Sequence, residues 1–561
     1  MGTFTITTGL LAPAQEKETV HVLATASVCF PVTTLYEKNG EPIRSHPTMW
    51  LKLMFAVFAL VCAGDVSATP LGLLEAIRHT LSQNPDIQIQ QQQLQASQGE
   101  LQQTTGQFDT TVKLAGTHAV DHNPLNQQSR ASYADQGQNL QELASSSTTY
   151  SLTVNQALRN GLVLSPSLSA TRSAGTTLDL GQQAAQTSAK VSFNLLLPLN
   201  EGRRESAALS EAAAVLARDA SQQDLRLSIA RAVVNTVSAY WKWVAARHAL
   251  TITRDAETSM AQQLKETQKL IEAQEIPAAD LLLVRASLMD RTSARLGAEQ
   301  AVLEARQKLG QAMGMNPAQM STLAPLDDLP PLQQGLLATD NVQQRLLALA
   351  LQQRADLAAA RLRQEAAKVS QTVAQSALQP QLDLNLNVGY ATLLESNAAS
   401  SLVSVLGQQR SSANIGTSIS FQWPVENNVA KGRYVQRSAA YDQATIQLNT
   451  LEQTISLGVE AAWQAVIRSA RQAQEAQASV ALYQITAKNE KTKSQLGSAT
   501  LIDVLSVNDR LLSARQNQIS YHLNYLNALV QLRFETGALL TDDVSASSIR
   551  FETFVSPPTL D

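Results

Sequence analysis

The stretch Ala278-Ala279-Asp280-Leu281-Leu282-Leu283-Val284 returns late in the chain as Leu501-Ile502-Asp503-Val504-Leu505-Ser506-Val507, with the aspartate and the last valine in the same places. The same spacing relates Leu309 to Leu532 and Gly314 to Gly537. Upstream, Ala239 pairs with Ala461 and Trp241 with Trp463 at a spacing one residue shorter, so the second copy carries an extra residue between Trp463 and Asp503. The chain is an internal duplication, each copy a unit of long helices around strand-like text. Such a plan points to a transport conduit rather than an enzyme.

Outward from Asp280, the break Gln274-Glu275-Ile276-Pro277 turns the chain. Pro277 suits a first helical turn and Asp280 the positive end of its dipole. Before the break, residues 205 to about 270 keep a helical period through Val233, Val237, Tyr240, Trp241 and Val244. That span predicts a rod roughly 100 Å long, which needs neighbours along its length. After the break a helix returns to about Met313 and stops at Gly314. Ahead of the rod, alternation at Val112–Val120, Tyr150–Val154, Leu168–Ala170 and Val191–Leu195 predicts about four strands, the last ended by Pro198. Before them come a helical stripe from Leu71 to Ile77, the break Asn84-Pro85, and helical text to about Thr105.

The second copy starts near Val342. Its helix runs to Leu378, strands follow at Leu382–Val388 and Ile415–Trp423, and Pro424 stands where Pro198 stood. A second rod reaches about Ser494, Gly497-Ser498-Ala499-Thr500 turns, and the last helix ends at Gly537. The predicted division is a non-native or unstructured extension at 1–48, a signal peptide at 49–68, the first repeat at 69–314, a linker at 315–338, the second repeat at 339–537 and a tail at 538–561. The signal peptide rests on Met49-Trp50-Leu51-Lys52, a short apolar run, and Val66-Ser67-Ala68 as its cleavage site. Translation then starts at Met49, and both cysteines are lost with the leader. Asp327-Asp328, in the linker, reads as solvated charge.

The formal net charge is −4 over 561 residues, with no basic block, so nucleic acid is not expected as a partner. Aromatics are only 4% of residues, which suits long water-flanked helices better than a conventional globular core. No stretch after Ala68 is apolar enough for a transmembrane helix, but strands closed into a barrel cross a bilayer without one. One chain cannot close such a barrel. Taking 111–120 and 187–197 with 381–391 and 413–423 gives four barrel strands per chain, and three chains would give about twelve. The pair within 148–176 is then an extra hairpin, extending the sheet outside or under the membrane.

Several stretches resemble the TolC-like outer-membrane efflux protein family. They are Leu74-Glu75-Ala76-Ile77 with Asn84-Pro85; Leu197-Pro198-Leu199-Asn200-Glu201-Gly202-Arg203 and its second copy Trp423-Pro424-Val425-Glu426-Asn427-Asn428; Gln495 to Leu505; and Tyr525 to Gly537. The resemblance covers roughly 70–540. It implies a homotrimer combining a membrane β-barrel with a long α-helical barrel, set in outer-membrane lipid with a large periplasmic part. It also implies a passive exit duct joined through a periplasmic adaptor protein to an inner-membrane RND or ABC transporter, for small-molecule efflux. A type I protein secretion duct and, further off, a periplasmic coiled-coil scaffold remain alternatives.

The resemblance implies site residues as well. Ile276, Pro277, Gly497 and Thr500 fall at tips that face the adaptor, although such turns also serve only to reverse the chain. Copy one departs from the pattern, with Gln274 and Pro277 where copy two has glycine and threonine. Asp503 lines a closed periplasmic aperture, with Ser506 where relatives carry a second aspartate; the plainer reading is a helix-start aspartate. Pro198 and Pro424 mark barrel junctions, Trp423 an interfacial aromatic, and Trp241 and Trp463 packing anchors between rods. No catalytic residue, cofactor or metal site is expected. His118 and His122, four residues apart on a strand, are separated by roughly 13 Å, too far to share a metal.

Overall fold

The computed structural model describes residues 69–558 except 136, 138, 176–184, 276, 333–340, 396–410 and 541–549. The expected extension 1–48, the signal peptide 49–68 and Ile276 lie outside the described residues.

In chain order the elements are β1 (Thr69–Leu71), α1 (Leu73–Gln83), α2 (Pro85–Thr105), β2 (Thr111–Pro124), α3 (Gln127–Ala134), β3 (Glu142–Ala157), β4 (Val163–Gly175), β5 (Gln186–Pro198) and α4 (Glu201–Arg204). Then come α5 (Ser206–Glu272), α6 (Asp280–Met313), α7 (Pro317–Met320), β6 (Leu323–Pro325), α8 (Val342–Gln353) and α9 (Ala355–Ser376). The chain finishes through β7 (Gln381–Glu395), β8 (Ser411–Gln422), α10 (Asn428–Gln495) and α11 (Leu501–Glu535). The rods α5 and α10 hold 67 and 68 residues, each about 100 Å long at the helical rise.

Neither rod stands alone. Near the sheet, α2 packs on α5, α5 on α9 and α9 on α10; beyond the middle, α6 packs on α5, α5 on α11 and α11 on α10. Four helices therefore run abreast over most of the length. Their cohesion concentrates at mid-rod, where Tyr240, Trp241 and Trp243 of α5 meet Ile77 of α1, Leu309 of α6, Leu346 of α8, Val466 of α10 and Leu529 of α11 in one core. Each such buried side chain contributes about 1.5–3 kcal/mol. The tail completes this core: Phe554 is fully buried and Phe551 stands edge-on to Trp241 at 6.2 Å. The Arg533 guanidinium donates to the carbonyls of Ser556 and Pro557 and holds the tail there.

The linker is structural. β6 pairs in parallel with β1, and the Asp327 carboxylate accepts from Leu73 N–H (2.7 Å) and Tyr240 OH (2.8 Å). The expectation of solvated charge is therefore corrected for Asp327, because an orphan donor at the start of α1 needs an acceptor. Asp328 does stay exposed, beside His248 Nε2 at 2.6 Å.

Six strands form one antiparallel sheet in the order β2-β3-β4-β5-β7-β8. This corrects the strand arrangement expected from the sequence. The pair within 148–176 lies between the strands at 111–120 and 187–197, hydrogen-bonded on both sides, and those two are not neighbours. Registered partners share a face. One row reads Leu114, Leu152, Leu168, Val191, Tyr390, Ala413 across all six strands; the adjacent row reads Lys113, Thr153, Ser167, Ser192, Gly389, Asn414. One face is thus apolar and the other polar.

Candidate functional site

Both helical hairpin tips lie together. Met260 of α5, Val284 of α6 and Leu505 of α11 form a second small core, flanked by Leu264, Leu288 and Leu501. Arg291 of α6 pairs with Asp509 of α11 across the two hairpins. Between the hairpins a cavity of about 250 Å³ is lined by Asp255, Glu266, Arg291, Lys491, Asn508 and Arg515 among others.

The two tips share a backbone solution with different side chains. Glu275 N–H donates to Leu270 C=O and Ser498 N–H to Lys493 C=O, each at 2.9 Å. The residue that turns left-handed is Gly497 (φ 75°) in copy two and Gln274 (φ 61°) in copy one. Pro277 follows the first turn, and α6 begins with no side-chain cap. Thr500 caps α11 in full: its hydroxyl accepts from Asp503 N–H, while the Asp503 carboxylate accepts from Thr500 N–H (3.0 Å) and Thr500 OH (2.6 Å). This box holds the exposed Asp503 carboxyl below its ordinary range, through the Thr500 hydroxyl first and the Thr500 amide second. Ser506 is exposed one turn further along α11. These bonds give Asp503 its helix-start role in atomic terms.

At the other end of the rods, Pro198 is the last residue of β5, opposite Asp383 of β7. Pro424 follows β8, and Trp423 beside it is exposed. After each proline an asparagine reaches back to the α9–β7 connection: Asn200 Nδ2 donates to Pro380 C=O (2.9 Å) and Asn427 Nδ2 to Leu378 C=O (3.2 Å). Trp241 is fully buried in the main core, and Trp463 is half-buried against it.

Sequence reading missed two devices. The first is the lock between each copy's opening and closing helices. Asn84 Nδ2, at the α1–α2 break, donates to Ala312 C=O at 2.7 Å; Arg354, at the α8–α9 break, donates to Glu535 C=O at 3.2 Å. Ala312 and Glu535 are equivalent in the duplication, but the donors differ in kind, so no repeat signal marks them. The Arg354 guanidinium also pairs with Asp356 and with the Glu535 carboxylate. The second is the β3–β4 turn. Arg159 forks onto Glu211 of α5 with two bonds of 2.7 Å, and a Cβ on Gly161 (φ 80°) would stand 2.8 Å from Arg204 Cα. His118 and His122 have separate partners, Thr148 and Glu142. Among the described residues no group of acidic, histidine or cysteine side chains could hold a metal, and no helix is long and apolar enough to cross a membrane.

Residues 346–538 match the family described as Outer membrane efflux protein. The chain is 24% identical over 337 residues to the outer membrane protein TolC of Vibrio cholerae, covering 58% of this chain and 70% of that one. Against TolC of Escherichia coli K12 the identity is 23% over 324 residues, with 56% and 63% covered. The fold is similar to that of the Campylobacter jejuni CmeC outer membrane channel, with a TM-score of 0.61 at 15% identity over 86% of this chain and 89% of that chain. The chain is thus similar in sequence to outer-membrane efflux proteins of the TolC type over little more than half of its length, and shares the fold of such channels over most of it.

Proposed function

We propose that the chain is one wall segment of a passive exit duct, closed by three copies, with the sheet in outer-membrane lipid and the helices in the periplasm. The observation that carries this reading is the sheet's exposed apolar face. Leu114, Phe193, Val388 and Ile415 stand 53–80% exposed on it, and water is a poor solvent for a patch of that size. A lipid-facing wall with a polar inner face gives them a place. The same face argues against a periplasmic scaffold. The paired tips and the cavity between them are where an adaptor's helices would dock, and an RND or ABC transporter behind it would supply the energy. Small-molecule efflux is the preferred cargo class. Catalysis forms no part of the reading.

The test is the native assembly. Outer-membrane extracts run without heating should give a band of three chain masses that collapses on boiling, and the purified protein should conduct in planar bilayers. A purified monomer that leaves a bilayer insulating would overturn the reading.

A further inference from the structure

We propose that the β3–β4 hairpin is part of the barrel wall, so that each chain contributes six strands and a threefold closure has eighteen. The proposal rests on the duct reading and adds the composition of its wall. Four observations carry it.

The hairpin strands have 16 and 13 residues, matching the 13 of β5 and the 15 of β7, and all exceed the 9–11 or so that span a bilayer as tilted strands. Their faces continue those of the other four: the apolar row runs unbroken through Leu152 and Leu168, and the polar row through Thr153 and Ser167. Tyr150, Leu152 and Leu164 are exposed on the apolar side, whereas on the polar side Thr149 bonds Thr171 (3.0 Å) and Ser167 bonds Ser192 (2.8 Å). Every hairpin strand has a neighbour on each side, which satisfies backbone groups that lipid cannot. Last, the hairpin's turn is docked at the helical end, through Arg159 to Glu211 and Gly161 against Arg204. The strands therefore rise from the same base as the rest of the sheet.

Removing the hairpin from the wall would leave β2 with no neighbour in its own chain. With it in place, the free edges are β2 and β8, which run in opposite directions because six strands alternate. β8 of one copy then pairs antiparallel with β2 of the next. Eighteen strands is the porin size class, wide enough for an aqueous channel.

Site-directed spin labels in phosphatidylethanolamine–phosphatidylglycerol vesicles test this, with Cys29→Ser and Cys62→Ser as background. Tyr150→Cys, Ser151→Cys, Leu152→Cys and Thr153→Cys probe the hairpin; Leu386→Cys, Asn387→Cys and Val388→Cys probe β7 as control. In the wall, Tyr150 and Leu152 should collide with dissolved oxygen several-fold more than Ser151 and Thr153, and the order should invert for a water-soluble nickel chelate. Period-two alternation in β7 with uniform nickel access in β3 would put the hairpin outside the membrane and overturn the proposal while leaving the duct reading standing. Loss of alternation in both strands would overturn the two together.

Discussion

A glycine closes each half of the chain, and in each case the neighbour is backbone. A Cβ on Gly314 (φ 74°) would collide with the Gln83 carbonyl oxygen and lie 3.0 Å from its carbon; one on Gly537 (φ 73°) would lie 2.9 Å from the Gln353 carbonyl carbon. Backbone cannot step aside as a side chain can, and the left-handed turn is itself costly for alanine. Gly314→Ala should therefore lose about 3 kcal/mol, read as a lower temperature for the heat-induced collapse of the assembly, with Gly537→Ala similar. An unchanged collapse temperature would mean that the α1–α2 break moves freely. Asp503 is the other informative residue. In one chain its carboxyl is held low, so the capping box is intact above the ordinary carboxylate range and is lost as pH falls through that depressed value. Three copies around an axis would repel and push the apparent values back up. Divalent-cation block at the periplasmic end should weaken in Asp503→Ala, and in the native protein it should be relieved at a pH above that of an isolated capped aspartate. Block that is identical in the variant leaves Asp503 as a helix cap alone.

Among the elements, the two hairpin tips invite comparison, because one fold is written with two spellings. Gln274 does in copy one what Gly497 does in copy two, at an exposed position. Gln274→Gly should stabilise by about 0.5–1 kcal/mol, the left-handed strain relieved less the entropy of the freer unfolded chain. A measured loss would show that the glutamine side chain makes a contact of its own in the assembly. The rods, their breaks and both turns were legible because a helix repeats its apolar period over many residues. The strand order was not. Serine and threonine fill one face of β3 and β4 so evenly that a few apolar residues (Tyr150, Leu152, Val154, Leu164 and Leu168) mark the pattern, and nothing in a period says which strand lies beside which. The Asn84 and Arg354 locks were hidden for a related reason: a carbonyl accepts from any donor, so the duplication preserved the geometry and let the side chains drift.

At the scale of the whole molecule, the proposed wall has a size that polymers can measure. Neutral polyethylene glycols small enough to enter should lower single-channel conductance, and with eighteen strands the cut-off at the outer mouth should be that of a porin-class pore. On the proposed duct, three sets of helical tips gathered around the axis should exclude smaller polymers, so the cut-off should depend on the side of addition. Equal cut-offs from both sides would place the constriction somewhere other than the tips.

Four helices run abreast beneath the sheet, and that number has a geometric consequence. Helices pack at about 8–10 Å between axes, so four occupy an arc of roughly 32–40 Å. A tilted strand takes about 6 Å of circumference, so six strands take roughly 36 Å, whereas four would take only about 24 Å. On the proposed wall, the two girths agree segment by segment, whatever the number of copies. The chain then passes from rods to strands without flare or pinch, and the proposed duct keeps one calibre from mid-rod to the far end of its sheet.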